Sequence, residues 1–237
     1  MNTVKHILLL LSLVLLGSNQ AAQAHAVWLE SQPVGQKGQA HIVRVYYGEF
    51  EAGEVESIKD WYSDLNTLTL QLTAPNGSTQ PLSLVDKGDY FEATFTPAVD
   101  GVYQVFTRHA TKDLGGETRY EFVAQAAVQV GKANQKGNIS LGNQLTVEPK
   151  IFKVKDKVSI LLTADGKPLA DKEVAVMSAT GWHKNYKTDQ NGRILVETTW
   201  SGRYVVEFSN MEKNGGEWYG KNYTQNWQGL TASFIVK

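Results

Sequence analysis

The stretch DKGDYFEATFTPAVDGVYQVFTRH, Asp86–His109, decides the fold. Lys87-Gly88-Asp89 and Pro97 through Gly101 are turn signals, and between and after them Tyr90–Thr96 and Val102–Arg108 read as strands with alternating apolar and polar residues. The same grammar runs outward in both directions. Upstream it predicts strands at Ala26–Glu30, Ala40–Tyr47, Thr67–Leu72 and Leu82–Val85, with Ala74-Pro75-Asn76-Gly77 as a further turn. Downstream it predicts Tyr120–Val130. Nothing in this half has the length and period of a long helix, so the first half reads as an antiparallel β-sandwich.

Gly131–Asn138 (GKANQKGN) is polar and opens a linker that extends over residues 132–147. Beyond it, strands are expected at Glu148–Lys153, Lys157–Thr163, Lys172–Ala179, Lys184–Lys187, Ile194–Thr199, Arg203–Ser209 and Thr231–Val236. Asp165-Gly166 and Asn191-Gly192 mark tight turns among them. The chain is therefore expected to be all-β, two immunoglobulin-like antiparallel sandwiches in tandem at 25–131 and 148–237. Ser209–Gln228, rich in Trp, Tyr, Asn and Gly, reads as a long loop whose Trp218, Tyr219, Tyr223 and Trp227 either anchor it to the sheet or form a stacking platform for a sugar.

Residues 1–24 read as an export signal: Lys5 in a short leading region, an apolar run from Ile7 to Leu16 broken only by Ser12, and Ala22-Gln23-Ala24 as a small-x-small cleavage site. The run is too short to span a bilayer. A soluble periplasmic or secreted protein beginning at His25 is the expectation, with a cut after Ala26 as the alternative. The chain has no cysteine, which removes disulfides and thiolate metal sites and leaves stability to core burial. Lys+Arg 23 against Asp+Glu 24 leaves no basic excess, so nucleic acid is not an expected partner.

A histidine at a chain terminus carries an amine and an imidazole on one residue and can close a chelate ring that no internal histidine makes. Strand alternation brings the end of the second strand, the loop 50–66 and the end of the sixth strand to the pole where His25 enters. That pole gathers Glu49, several loop carboxylates, His109 and Asp113. His41 starts the second strand, roughly 20 Å away at about 3.3 Å per residue, and reads as a surface or strand-start histidine. The candidate metal ligands are thus His25, His109, Glu49 and Asp113. An amine with two imidazoles suits copper or nickel, with cobalt a further candidate. Binding should weaken steeply below about pH 6, as imidazoles protonate. Trp61 and Tyr62 are expected to pin the 50–66 loop over this pole.

The ordered motifs HAVWLE, VYYGEF, KDWYSDL, TAPNG, DGVYQVFTRHATKD, LGNQLTVEP, LLTADGKPLADKEV and TDQNGR cover essentially the whole mature chain. In this order they resemble an uncharacterised family of exported proteins, domain of unknown function family 4198, often labelled a periplasmic component of nickel or cobalt uptake. The resemblance implies a two-domain β-rich protein that handles a transition metal, with a membrane transporter as partner. It matches His25 to the family's leading histidine and His109 to the histidine closing the DGVY strand. Further family histidines are replaced here by Ser209-Asn210 and Trp227-Gln228.

No nucleophile-and-base motif, Gly-rich phosphate loop or HExxH pair is present, so catalysis is not expected. Two other readings stay open: a metal-free binding or structural module, and a copper-dependent polysaccharide monooxygenase that uses a leading histidine.

Overall fold

The computed structural model describes residues 25–137, 139 and 141–237; the export signal read at 1–24 lies outside the described residues. In the first half the strands are β1 (Ala26–Ser31), β2 (Val34–Gly35), β3 (His41–Glu49), β4 (Glu54–Val55), β5 (Leu70–Thr73), β6 (Thr79–Leu82), β7 (Val85–Asp86), β8 (Phe91–Phe95), β9 (Gly101–Ala110) and β10 (Thr118–Val130). Two short 3-10 turns, Ile58–Asp60 and Leu65–Thr67, punctuate the long loop after β4. The second half contributes β11 (Asn143–Thr146), β12 (Ile151–Phe152), β13 (Lys157–Ala164), β14 (Lys167–Pro168), β15 (Glu173–Ser178) and β16 (His183–Lys187). It closes with β17 (Arg193–Glu197), β18 (Gly202–Glu212), β19 (Gly216–Trp218), β20 (Lys221–Tyr223) and β21 (Gln225–Val236). Among the described residues no helix is long and apolar enough to cross a membrane.

The fold is all-β, and its sheets form sandwiches around a shared centre. A ten-stranded sheet runs β16-β15-β18-β21-β10-β9-β5-β6, with β12 beside β21 and β2 beside β10. The halves meet inside it, where β10 and β21 pair in parallel from Thr118↔Gln225 to Gln125↔Ala232. Successive residues of a strand point to opposite faces. Phe122, Ala124, Ala126 and Val128 of β10 therefore pack into one core, and Val123 into the other. The first face is covered by the sheet β1-β3-β8-β7, which supplies Val27, Leu29, Val43 and Val45. The second face is covered by β11-β13-β14 with β17, which supplies Ile160, Leu162 and Val196. Each such fully buried side chain stabilises the fold by about 1.5–3 kcal/mol relative to exposure.

The first cover sheet is also tied to the last strand. Thr231 and Ser233 donate their hydroxyls to the backbone carbonyls of Val27 and Leu29, at 2.7 and 2.8 Å. Trp227 of β21 sits in the core built otherwise from the first half.

The structure departs from the sequence expectations in several places. The stretch expected as a polar linker contains β11, whose Leu145 is buried and whose residues pair with β13. The stretch expected as a long aromatic loop is mostly strand: β18 continues to Glu212, β19 and β20 form a small hairpin, and β21 begins at Gln225. Its polar residues misled because they decorate one end of the central sheet, beyond the apolar core. His41 does start its strand, but it is buried rather than at the surface, with Nε2 at 2.8 Å from Ser31 Oγ. Burial lowers its pKa against the opposing effect of a backbone hydrogen bond at Gln32.

Candidate metal site and the surrounding pole

His25 precedes β1, and the pairing Ala26↔Gly48 sets it across from Glu49 at the end of β3. The chain then reverses through Phe50–Gly53 into β4, with Gly48 paired to Val55. This return is tight. Gly48 has φ +148°, and a Cβ there would lie 2.3 Å from the Glu54 carbonyl oxygen, so only glycine lets β4 approach. The Glu56 amide then donates to the Tyr47 carbonyl at 2.9 Å, which brings the Glu56 side chain alongside His25.

The result is an imidazole between two carboxylates. His25 Nε2 lies 3.0 Å from Glu56 Oε1, and Nδ1 lies 3.6 Å from Glu49 Oε1. An ionised carboxylate only accepts, so Nε2 is the nitrogen that carries the hydrogen. Nδ1, the ring nitrogen able to chelate together with the residue's own amine, faces Glu49 at a distance beyond hydrogen bonding. Two donors each about 2.0–2.2 Å from one ion stand roughly 2.8–3.6 Å apart from right-angle to tetrahedral geometry, so the 3.6 Å gap to Glu49 lies at the upper limit for a shared ion. Among the described residues no group of three or more His, Cys, Asp or Glu is arranged to hold a metal. A set of His25 and Glu49 reaches three donors only with the backbone amine of His25.

The other two residues singled out from the sequence belong to a different cluster. His109, near the end of β9, places Nε2 3.0 Å from Asp64 Oδ1, and the same oxygen accepts the Lys112 amide at 2.9 Å. Burial alone would raise the Asp64 pKa, but the Lys112 amide, the His109 hydrogen bond and the His109 charge together lower it. Asp113 accepts from Ser63 Oγ at 2.9 Å, while its own amide donates back to that oxygen at 3.0 Å. The sequence-nominated residues thus fall into two groups, His25 with Glu49, and His109 with Asp113 across the Ser63-Asp64 turn. Glu56 was not singled out from among the acids of its loop. Its signal was the hairpin around Gly48 and Gly53, which folds it back beside Glu49.

Beside His25 lies a hollow of about 520 Å³, lined by His25, Tyr47, Tyr62, Tyr120, Phe122 and Trp227 among others. Its walls are rigid aromatic contacts: Tyr47 meets Phe122 edge-on at 5.9 Å, Phe122 meets Trp227 at 5.3 Å, and Tyr62 meets Tyr120 at 6.0 Å. Burial, with the nearby Glu56 charge, pushes the Tyr47 hydroxyl up to about 12. Trp61 is buried, and its indole donates to the Glu56 carbonyl at 3.0 Å. Tyr62 reaches the Asp113 carbonyl at 3.4 Å.

The aromatic residues of 209–228 have divided roles. Trp227 is core, with its indole donating to Ser209 at 2.9 Å. Trp218 donates to the Thr111 carbonyl at 2.8 Å and carries the Arg119 guanidinium 4.2 Å over its ring. His183 lies 2.6 Å from Glu51 and 2.8 Å from Asn185. Burial alone would lower its pKa, but those hydrogen bonds and the Glu51 and Glu207 charges raise it.

The sequence matches the family model described as Domain of unknown function (DUF4198) over residues 22–212. No curated protein matches it. Among the solved structures that it resembles are two at low similarity. One is the Ca2+-stabilized adhesin that helps an Antarctic bacterium reach out and bind ice, at 12% identity and TM-score 0.26, covering 90% of this chain and 49% of that one. The other is trypsin-activated alpha-2-macroglobulin from Escherichia coli, at 12% identity and TM-score 0.27, covering 88% of this chain and 16% of that one. The chain spans about half of the first and a smaller part of the second, and at these scores neither is a guide to its role.

Proposed function

This chain belongs to the DUF4198 family, whose description assigns no function, and from its own residues we propose that it is an exported transition-metal-binding protein that supports metal uptake or trafficking. Copper or nickel is the ion, with cobalt a weaker fit to a nitrogen-rich set. Export cleavage after Ala24 frees the His25 amine. That amine, His25 Nδ1 and the Glu49 carboxylate form the donor set, and Glu56 orients the ring through Nε2.

One observation carries this reading: the two carboxylates divide the His25 ring, one accepting from Nε2 at 3.0 Å and the other standing 3.6 Å from Nδ1. A carboxylate on the far nitrogen fixes tautomer and ring orientation in many histidine-metal sites. The His109 and Asp113 cluster lies outside the donor set, because its hydrogen bonds run to Asp64 and Ser63 and none joins it to His25 or Glu49.

The test is intact mass of the exported protein together with equilibrium dialysis against copper and nickel. A chain starting at His25 should take up one ion, and a variant with one alanine inserted before His25 should lose most of that affinity. Equal uptake by both forms would defeat the proposal.

The aromatic hollow favours a second reading, a metal-free module for a small apolar ligand. Its volume lies in the usual range of about 300–1,000 Å³ for small-molecule sites. Ligand retention by chelator-treated protein distinguishes the two.

A further inference from the structure

On the opposite face of the central sheet, a separate polar cleft of about 390 Å³ opens where the second cover sheet stops. The strand registers show how it is built. Phe208, Leu230 and Val123 lie side by side across β18, β21 and β10, and all three are buried in the second core. Two residues further along each strand the same face presents Asn210, Gln228 and Glu121, and two further again Glu212, Asn226 and Arg119. The apolar floor of the core thus continues outward as two rows of polar side chains.

These rows are held in place by one another. Arg108 donates to Glu121 Oε1 at 2.9 Å, Gln228 donates to the other Glu121 oxygen at 2.5 Å, and Asn143 from the cover sheet donates to Gln228 at 2.8 Å. Arg119 donates to Asn226 at 3.2 Å while its guanidinium lies on the Trp218 ring. Its Nε is buried with no hydrogen-bond partner among the described residues. That buried edge is turned from the cleft, and the stacking on Trp218 fixes the guanidinium so that its Nη1 end is held at Asn226 on the cleft wall.

The lining is rich in amides, with four Asn and one Gln, while its charges nearly balance, two Arg against Glu121, Asp165 and Glu212. An anion or a cation would be recognised by an excess of one sign. A lining of paired donors and acceptors on a rigid sheet, with little net charge, complements adjacent hydroxyl groups that both donate and accept.

We propose that this cleft is a binding site for a neutral saccharide. It is independent of the His25 site. The sheet pre-positions the amides, and the sugar hydroxyls pair with the amides and carboxylates that line the cleft.

Saturation-transfer NMR and calorimetry with cellotriose, chitotriose and maltotriose as probes, and oligogalacturonate as the anionic control, test the proposal on the full mature chain. At least one neutral probe should bind, and Gln228→Ala should weaken it at least tenfold. Because Gln228 also braces the sheet, Asn210→Ala, at the half-buried neighbour in the same row, gives a second reading, expected at three- to tenfold. His25→Ala should leave saccharide affinity unchanged. Absence of binding by all three neutral probes, preference for the anionic control, or binding untouched by both cleft variants would overturn the proposal.

Discussion

Glu56 Oε1 accepts from His25 Nε2 at 3.0 Å across a hairpin whose turn separates the two carboxylates of the site, so the carboxylate that orients the ring is not the one that faces Nδ1. The two acids should therefore differ in effect. Glu49→Ala removes a proposed donor and should lower metal affinity by more than a hundredfold. Glu56→Ala removes only orientation and should cost about 10–100-fold. Isothermal titration with copper reads both, and equal losses would refute the division of roles.

Gly48 should be intolerant of any side chain. Gly48→Ala sets a methyl 2.3 Å from the Glu54 carbonyl oxygen at φ +148°, which we expect to destabilise the protein by about 1–3 kcal/mol and to displace Glu56 from His25. Urea denaturation measures the first and metal affinity the second. An unchanged midpoint would mean that β4 is free to move aside.

Trp61→Phe keeps most of the buried surface but removes the donor to the Glu56 carbonyl. A loss of about 1–2 kcal/mol is expected from the unmatched carbonyl, together with faster metal release as the Glu56 segment loosens. Stopped-flow chelator competition follows the release, and an unaltered rate would show that the indole bond does not restrain the site.

Stability should depend on pH in two windows of opposite sense. Burial raises the Glu207 pKa to about 7, against the lowering effect of the His183 charge. The folded chain therefore keeps a proton that the unfolded chain releases above about 4.5, and stability falls as pH rises from there through about 7. Glu207→Gln should remove that fall, gaining on the wild type in thermal midpoint at pH 8 but not at pH 4. His41 acts in the other direction: its lowered pKa costs stability as pH drops below about 6.5, because the unfolded chain takes up the proton first. A midpoint difference between Glu207→Gln and wild type that stays constant from pH 4 to 8 would contradict the first window.

Much of the first cover sheet was legible because its strands alternate cleanly: Phe91, Ala93 and Phe95 face the core while the residues between them do not. Short turns carried the rest, and the same logic brought His25 and Glu49 to one pole. The parallel pairing of β10 with β21 was not legible. It joins residues 107 positions apart, such as Arg119 and Asn226, and no local pattern encodes a partner at that distance. Asn226 and Gln228 also resemble loop residues because their strand face lines a polar cleft instead of a core. Glu56 was hidden for a related reason. Its role depends on a close backbone approach at Gly48, and the sequence there shows only one more acid in an acidic loop.

The seat of Trp227 makes the first core depend on the last strand. Tyr120 and Phe122 meet this indole at 5.5 and 5.3 Å, and the carbonyls of β1 receive their hydroxyl donors from the same strand. A nascent polypeptide that had emerged only as far as β10 would leave those rings bare and β1 half tethered. The amino-terminal half thus cannot close its core without a strand that lies 107 positions further along the chain, and the aromatic wall beside His25 is complete only with that strand in place.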